Sequence, residues 1–239
     1  MEIKEPIAAE KKGRSRKGAG KPKGLGLNQL LSKKYKLLQG LPPEITRAFG
    51  QLTEQILMII YGPSGSGKSR MTMKFLKILM NYGDVMYVSP EEGHRHTMQQ
   101  SAKDNLTLNE HSGKITFWDH NMTYEALVEK LKKKKSPKYV VIDSLQYWDI
   151  KMHQYKSLKE MFPNKGFIFI SHSKGKSPLG KLAADIEYDV DIKVRVEGFV
   201  AFVRARGVGP KHYIIWEGEN STEGAWMYWG KRKLNQFKK

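Results

Sequence analysis

The sequence predicts an α/β fold built on a largely parallel, doubly wound sheet with antiparallel strands at its C-terminal end. Three observations carry this. Short continuous apolar runs at 56–61, 85–88, 139–142 and 166–170 have the uniform hydrophobicity of strands buried on both faces. Segments with helical spacing of apolar residues separate them, so strand and helix alternate as in right-handed crossovers. Beyond residue 190 the rhythm changes. Strand-like runs at 191–196, 199–206, 213–216 and 225–229 are separated by Gly-containing turns too short for crossover helices, which predicts antiparallel pairing.

Taken in order, residues 1–26 form a basic arm that is expected to be disordered. Eight Lys and Arg stand against three Glu there, among five glycines and two prolines, and the apolar content is too low to offset the entropy of ordering. Leu27, Leu30, Leu31, Tyr35 and Leu38 then recur at helical spacing until Pro42 and Pro43 stop them. A short helix is expected at 44–49, a buried strand at 56–61, and a helix at 68–80 carrying Met71, Phe75, Ile78 and Leu79 on one face. Strands at 85–88, 115–118, 139–142 and 166–170 alternate with helices at 94–106, 124–134 and 154–161, the last halted by Pro163. One domain over 27–230 is followed by a basic tail at 231–239, and no internal repeat is evident.

Composition bounds the answer. A chain of 239 residues and 27.4 kDa suits one α/β domain with tails. Cysteine is absent, which excludes disulfide frameworks, thiolate metal sites and thiol chemistry. Seven histidines show no ligand spacing; His94 and His96, two apart, diverge on a helix. No apolar run approaches the roughly 20 residues that cross a bilayer, and the first residues lack the apolar stretch of a secretory signal, so a cytoplasmic protein without a membrane partner is expected. The formal net charge of +18 favours a polyanion. The arm contributes five net positive charges, Lys231, Arg232, Lys233, Lys238 and Lys239 another five, and Lys132, Lys133, Lys134, Lys135 and Lys138 five more, so the remainder of the chain is close to neutral.

Gly62-Pro63-Ser64-Gly65-Ser66-Gly67-Lys68-Ser69 matches G-x-x-x-x-G-K-[ST], directly after a predicted buried strand and directly before a predicted helix. The chemistry needs each part. Glycines let successive backbone N–H groups curl around a phosphate, and the helix N-terminus adds unpaired donors and the positive end of its dipole. Lys68 is expected to reach the β- and γ-phosphates and Ser69 to bind Mg²⁺, with Arg70 next to the nucleotide. Asp143 ends the apolar strand at 139–142, where the Walker B carboxylate holds magnesium through water. Glu91 follows the strand at 85–88, taken to lie beside the phosphate loop, where a carboxylate can orient and deprotonate water. Glu92 is the rival for that role.

These features together resemble the RecA-fold ATPases, the group containing RecA, the RadA recombination proteins and the DnaB-type helicase motor. Upstream of the loop, Glu44-Ile45-Thr46-Arg47-Ala48-Phe49-Gly50 resembles the ELDRLLGG stretch before the family's first core strand. YVSPEEG at 87–93 resembles the YVSGEES of RadA-like proteins, which implies that Glu91 is the catalytic glutamate. VVIDSLQ at 140–146 resembles their Walker B strand. Phe169-Ile170-Ser171-His172-Ser173 falls where the family has a strand ending in the Gln that senses the γ-phosphate, with His172 in its place. Val203-Arg204-Ala205-Arg206-Gly207 resembles the KNRFG or KQRNG strand, which implies that Arg204 replaces the lysine and Arg206 the arginine finger that reach a neighbouring subunit's nucleotide.

By that resemblance the basic loop from Lys174 to Lys181 takes the place of the family's DNA-gripping loop. Lys174, Lys176 and Lys181 without an aromatic suggest phosphate contact with little sequence preference. Trp216, Trp226, Tyr228 and Trp229 sit in the strand-like runs and are expected to pack in the core. The resemblance, which extends to the small RecA-core proteins of phages and mobile elements, implies an ATP- and Mg²⁺-dependent ATPase stimulated by DNA, single-stranded by preference. It would act in recombination, annealing, repair or replication as a homo-oligomeric ring or filament. An ATP-governed assembly or loader module, or a DnaB-like helicase motor, is the alternative.

Overall fold

The computed structural model describes residues 24–218 and 222–238. The chain divides into a short N-terminal unit ending at Lys34 and a main unit, Tyr35–Lys239. Most of the predicted arm lies outside the described residues. Within the first unit, helix α1 (Leu27–Leu31) is one turn and a half long, and the Gly26 N–H donates to Gln29 Oε1. The helical spacing that continued to Leu38 does not continue as helix. Leu37 instead bridges Thr53, and the Leu38 N–H donates to the Leu52 carbonyl, because burying Leu38 beside Ile45 and Phe49 outweighs a helical turn running through Lys33 and Lys34.

In the main unit the order is α2 (Pro43–Phe49), β1 (Leu57–Tyr61), α3 (Lys68–Leu79), β2 (Val85–Val88), α4 (His96–Asn105), α5 (Leu108–His111), β3 (Ile115–Trp118), α6 (Tyr124–Leu131), β4 (Tyr139–Ile142), α7 (Met152–Met161) and β5 (Gly166–Ser171). A two-stranded hairpin, β6 (Ser173–Lys174) with β7 (Ser177–Pro178), leads to α8 (Lys181–Asp189), β8 (Ile192–Glu197), β9 (Val200–Ala205), β10 (Val208–Ile214) and α9 (Gly224–Phe237). The eight-stranded sheet has the order β10-β9-β8-β1-β5-β4-β2-β3. All pairings from β8 to β3 are parallel, and only β8–β9 and β9–β10 are antiparallel, as the change of rhythm predicts.

Strand alternation divides the core into two layers. Met58, Ile60, Tyr87, Tyr139, Val141, Ile168 and Ile170 face one side, where α2, α3 and α4 close over them. Ile59, Met86, Val140, Ile142, Phe167 and Phe169 face the other, under α6, α7 and α8. Strands buried on both faces have no polar side to display, which is why they read as unbroken apolar runs.

Four expectations are corrected. The run 225–229 is helical, the start of α9, although Ala225-Trp226-Met227-Tyr228-Trp229 is rich in residues that favour strands. Trp226 and Trp229 thus pack from a helix onto Phe199, Phe202 and Val200. The last strand is β10, which starts earlier than 213–216. The basic loop after β5 is an ordered hairpin with Gly175 at φ 61, and Lys181 opens α8. Lastly, β2 does not neighbour β1; β5 and β4 lie between them. Residues 231–237 continue α9 past a non-helical Gly230, with Leu234 buried. No helix among the described residues is long and apolar enough to cross a membrane.

Candidate nucleotide site

The C-terminal ends of β1, β2, β4 and β5 open onto one edge of the sheet, and the phosphate loop, Glu91, Asp143 and His172 collect there. The loop Gly62–Gly67 joins β1 to α3 under tight steric control. A Cβ on Gly62 would stand 2.2 Å from the Val196 carbonyl oxygen, so the strand β8 backbone leaves room for glycine alone. Gly65 and Gly67 have φ of 71° and 102°, a region glycine enters without cost. Gly67 is the N-cap of α3 and offers no side-chain cap, so the first N–H groups of that helix face the loop. The Ser66 hydroxyl is buried within the loop without a hydrogen-bond partner among the described residues. An uncapped helix start, a glycine cradle and an orphaned buried hydroxyl are what a phosphate would satisfy.

The loop is supported from the β8–β9 turn. Phe199, at φ 59, donates its N–H to the Ser66 carbonyl at 2.9 Å and sets its ring against Gly67. That ring meets Trp216 edge to face at 5.2 Å, and the Arg70 guanidinium stacks 4.2 Å over Trp216. The Lys68 ammonium donates to the Gly62 and Pro63 carbonyls, both at 2.9 Å. Burial lowers its pKa, while Asp143 and Glu91 oppose that shift.

Asp143 accepts a 2.5 Å hydrogen bond from the fully buried Tyr87 hydroxyl. Burial pushes its pKa up to about 6; the Tyr87 bond and Lys68 pull down, and Glu91 and Glu92 push further up. Burial, with the same carboxylate beside it, holds the Tyr87 hydroxyl well above its ordinary value. Asp143 and Glu91 both act on the Lys68 ammonium, and a cation beside them would offset their charge, which fits Mg²⁺ held by Ser69 and Asp143.

Glu91 is fixed by two donors on one oxygen. Ser144 Oγ and His172 Nε2 each lie 3.1 Å from Glu91 Oε2. His172 is itself held: its N–H donates to Gln146 Oε1 at 3.0 Å, and its carbonyl accepts from the Leu179 N–H at 2.9 Å. Gln146 Nε2 in turn donates to Ser171 Oγ and the Leu179 carbonyl, so the root of the β6–β7 hairpin is tied to the end of β4. Glu92 turns away to accept from Thr97 Oγ1 at 3.2 Å.

The remaining candidates lie apart from this cluster. Arg204 is exposed on β9. Arg206 follows β9 and is held in its own chain by Asp191 at 3.0 Å and by the Asp189 carbonyl. Lys174 and Lys176 are exposed on the hairpin, and Lys181 pairs with Asp185 at 3.1 Å along α8. Sequence reasoning missed Tyr87, Ser144, Gln146 and Phe199. Ser144 and Gln146 were within reach, since both follow Asp143 in VVIDSLQ; Tyr87 and Phe199 gave no signal, because their roles depend on strand order and on a turn from the far end of the chain.

No family model matches the chain, and no curated protein matches it. Among solved structures it is similar to the flagellar accessory protein FlaH from Methanocaldococcus jannaschii, with a TM-score of 0.53 at 15% identity over 72% of this chain and 87% of that chain. It is also similar to the ATPase domain of G40P, with a TM-score of 0.48 at 17% identity over 66% of this chain and 80% of that chain, too distant for argument. The fold is RecA-like, as the sequence resemblance implies.

Proposed function

We propose that this RecA-fold chain binds and hydrolyses ATP with Mg²⁺ and couples that cycle to DNA. The observation that carries the reading is the convergence of Lys68, Asp143 and Glu91 at the phosphate loop, with Glu91 oriented by Ser144 and His172. The loop N–H groups and Lys68 bind the phosphates, and Ser69 and Asp143 hold the metal. The metal, when bound, neutralises phosphate charge. Glu91, rather than Glu92, takes a proton from the attacking water, since Glu92 is engaged with Thr97. An arginine from a neighbouring copy, Arg204 or Arg206, would complete the site by stabilising charge on the transferring phosphoryl group.

DNA is the favoured partner because of the net charge of +18 and the lysines on the hairpin that begins one residue after His172, with single strands preferred and recombination, annealing, repair or replication as the setting. The deciding measurement is the ATPase rate with no nucleic acid, single-stranded DNA, duplex DNA and RNA in parallel. Lys68→Ala is expected to abolish hydrolysis while DNA binding persists; hydrolysis by that variant at the wild-type rate would overturn the proposal.

A second reading, an ATP-governed assembly or loader module, is favoured by one feature: His172 occupies a hydrogen-bonding position on Glu91, so the carboxylate that would activate water is already engaged. Sedimentation with and without ATP, together with a strand-separation assay, distinguishes assembly from translocation.

A further inference from the structure

A concavity of about 760 Å³ lies over β8, β9 and β10 against α8, with Lys176 of the hairpin at its margin. Six cations line it against two carboxylates, Glu187 and Asp191. Two of the six are internally neutralised, Arg195 by Glu197 and Arg206 by Asp191, and Glu187 accepts from the Tyr61 hydroxyl at 2.8 Å. Lys176, Lys193, Arg204 and Lys211 are left with no salt-bridge partner among the described residues. The register aggravates this, since Lys193 stands directly opposite Arg204 across β8 and β9. Like charges facing each other on a sheet destabilise it, so this pairing adds nothing to the stability of the sheet.

At the lip stands Tyr188, 81% exposed, with the Lys193 ammonium 5.5 Å from its ring. The hairpin lysines have no aromatic among them; the adjoining groove supplies one. An exposed ring beside unpaired cations can stack on a base only if the base is unpaired, because a duplex hides its base faces.

We propose that this groove holds a nucleic-acid single strand, its phosphates on Lys176, Lys193, Arg204 and Lys211 and a base on Tyr188. The inference rests on the DNA-binding reading above and adds the surface that does the binding. It extends the contact from the hairpin across the outer sheet and leaves the phosphate loop free.

The test uses the full chain, a fluorescein-labelled oligothymidylate and fluorescence anisotropy over a range of salt without ATP. Lys193→Ala/Lys211→Ala is expected to make the slope of log K against log salt shallower by about 1.4 and to weaken binding about tenfold at low salt. Tyr188→Ala is expected to weaken binding about fivefold or more at every salt with the slope unchanged, and Tyr188→Phe to restore it. The ATPase rate of each variant without nucleic acid should equal the wild-type rate, which shows that the variants fold. Wild-type affinity and slope in both the double variant and Tyr188→Ala would overturn the groove while leaving the DNA reading intact. Normal strand binding with loss of ATP-dependent self-association would assign the face to a second copy instead. A wild-type chain that binds no strand would overturn both.

Discussion

Glu91 holds two hydrogen bonds on one oxygen, from Ser144 and from His172, and the carboxylate and its His172 donor each make a prediction. His172→Ala removes one donor and should lower kcat about tenfold to hundredfold with little change in KM for ATP, whereas His172→Gln keeps a donor and most of the turnover. Glu91→Gln should cost about 10² to 10⁴ in kcat, the usual scale of a general base. Steady-state ATPase kinetics check both, and an unchanged kcat in His172→Ala would remove that side chain from the mechanism. Asp143 makes a thermodynamic prediction. Its carboxyl titrates at 3.8 when unfolded but keeps its proton to about 6 when folded. The folded state then binds more protons across that window, so stability falls as pH rises from 3.8 to about 6 and stays lowered above it. Asp143→Asn keeps an acceptor for Tyr87 and removes the buried charge. In chelator at neutral pH it should stabilise the chain by about 1–3 kcal/mol, raising Tm, while abolishing hydrolysis. A lower Tm in thermal unfolding would contradict that assignment.

At the scale of elements, α9 reaches the phosphate loop through the β8–β9 turn. Trp229 Nε1 donates to the Gly198 carbonyl at 3.1 Å, and its ring meets Phe202 and Phe237; the next residue, Phe199, braces Gly67 and Ser66. Trp229→Ala should therefore do two things. It should destabilise by about 2–3 kcal/mol, read as a lower urea midpoint with unchanged m, and it should raise KM for ATP severalfold with kcat nearly intact. A stability loss with unchanged KM would sever the link between α9 and the loop. This element also marks where sequence stops being legible. The strands β1, β2, β4 and β5 and the loop before α3 could be read directly, because burial on both faces demands unbroken apolar residues and phosphate binding demands glycines and lysine at fixed spacing. Nothing comparable constrains α9. Its aromatic run has strand propensity, and its helical period is interrupted at Gly230, so local preference pointed one way and packing against Phe202 another. The separation of β2 from β1 by two strands was illegible for a different reason: strand order is fixed by crossovers and long-range packing, which leave no mark on a single strand.

Over the whole molecule the charge divides in a way that the fold makes testable. Of the net +18, fifteen belong to the N-terminal arm, the lysine cluster at 132–138 and the last nine residues. The main unit, Tyr35–Lys239, contains the phosphate loop, Asp143, Glu91 and the groove over β8 to β10, so binding in the groove and electrostatic tethering by the arm are separable. Tethering by a basic arm is additive in phosphates and carries no geometry; a groove with an aromatic at its lip carries both. If about five phosphates are neutralised in total, log K should fall against log salt with a slope of about −3.5 to −4.5. Removing residues 1–23 should make that slope shallower and slow association, while ATP hydrolysis without nucleic acid stays at the wild-type rate, since the nucleotide site lies in the main unit. Stopped-flow binding and anisotropy titrations on the shortened chain measure both quantities. A slope unchanged by the truncation would mean that the arm contacts no phosphate and that the groove and hairpin account for the whole electrostatic term; a shortened chain with no residual strand binding would mean the reverse.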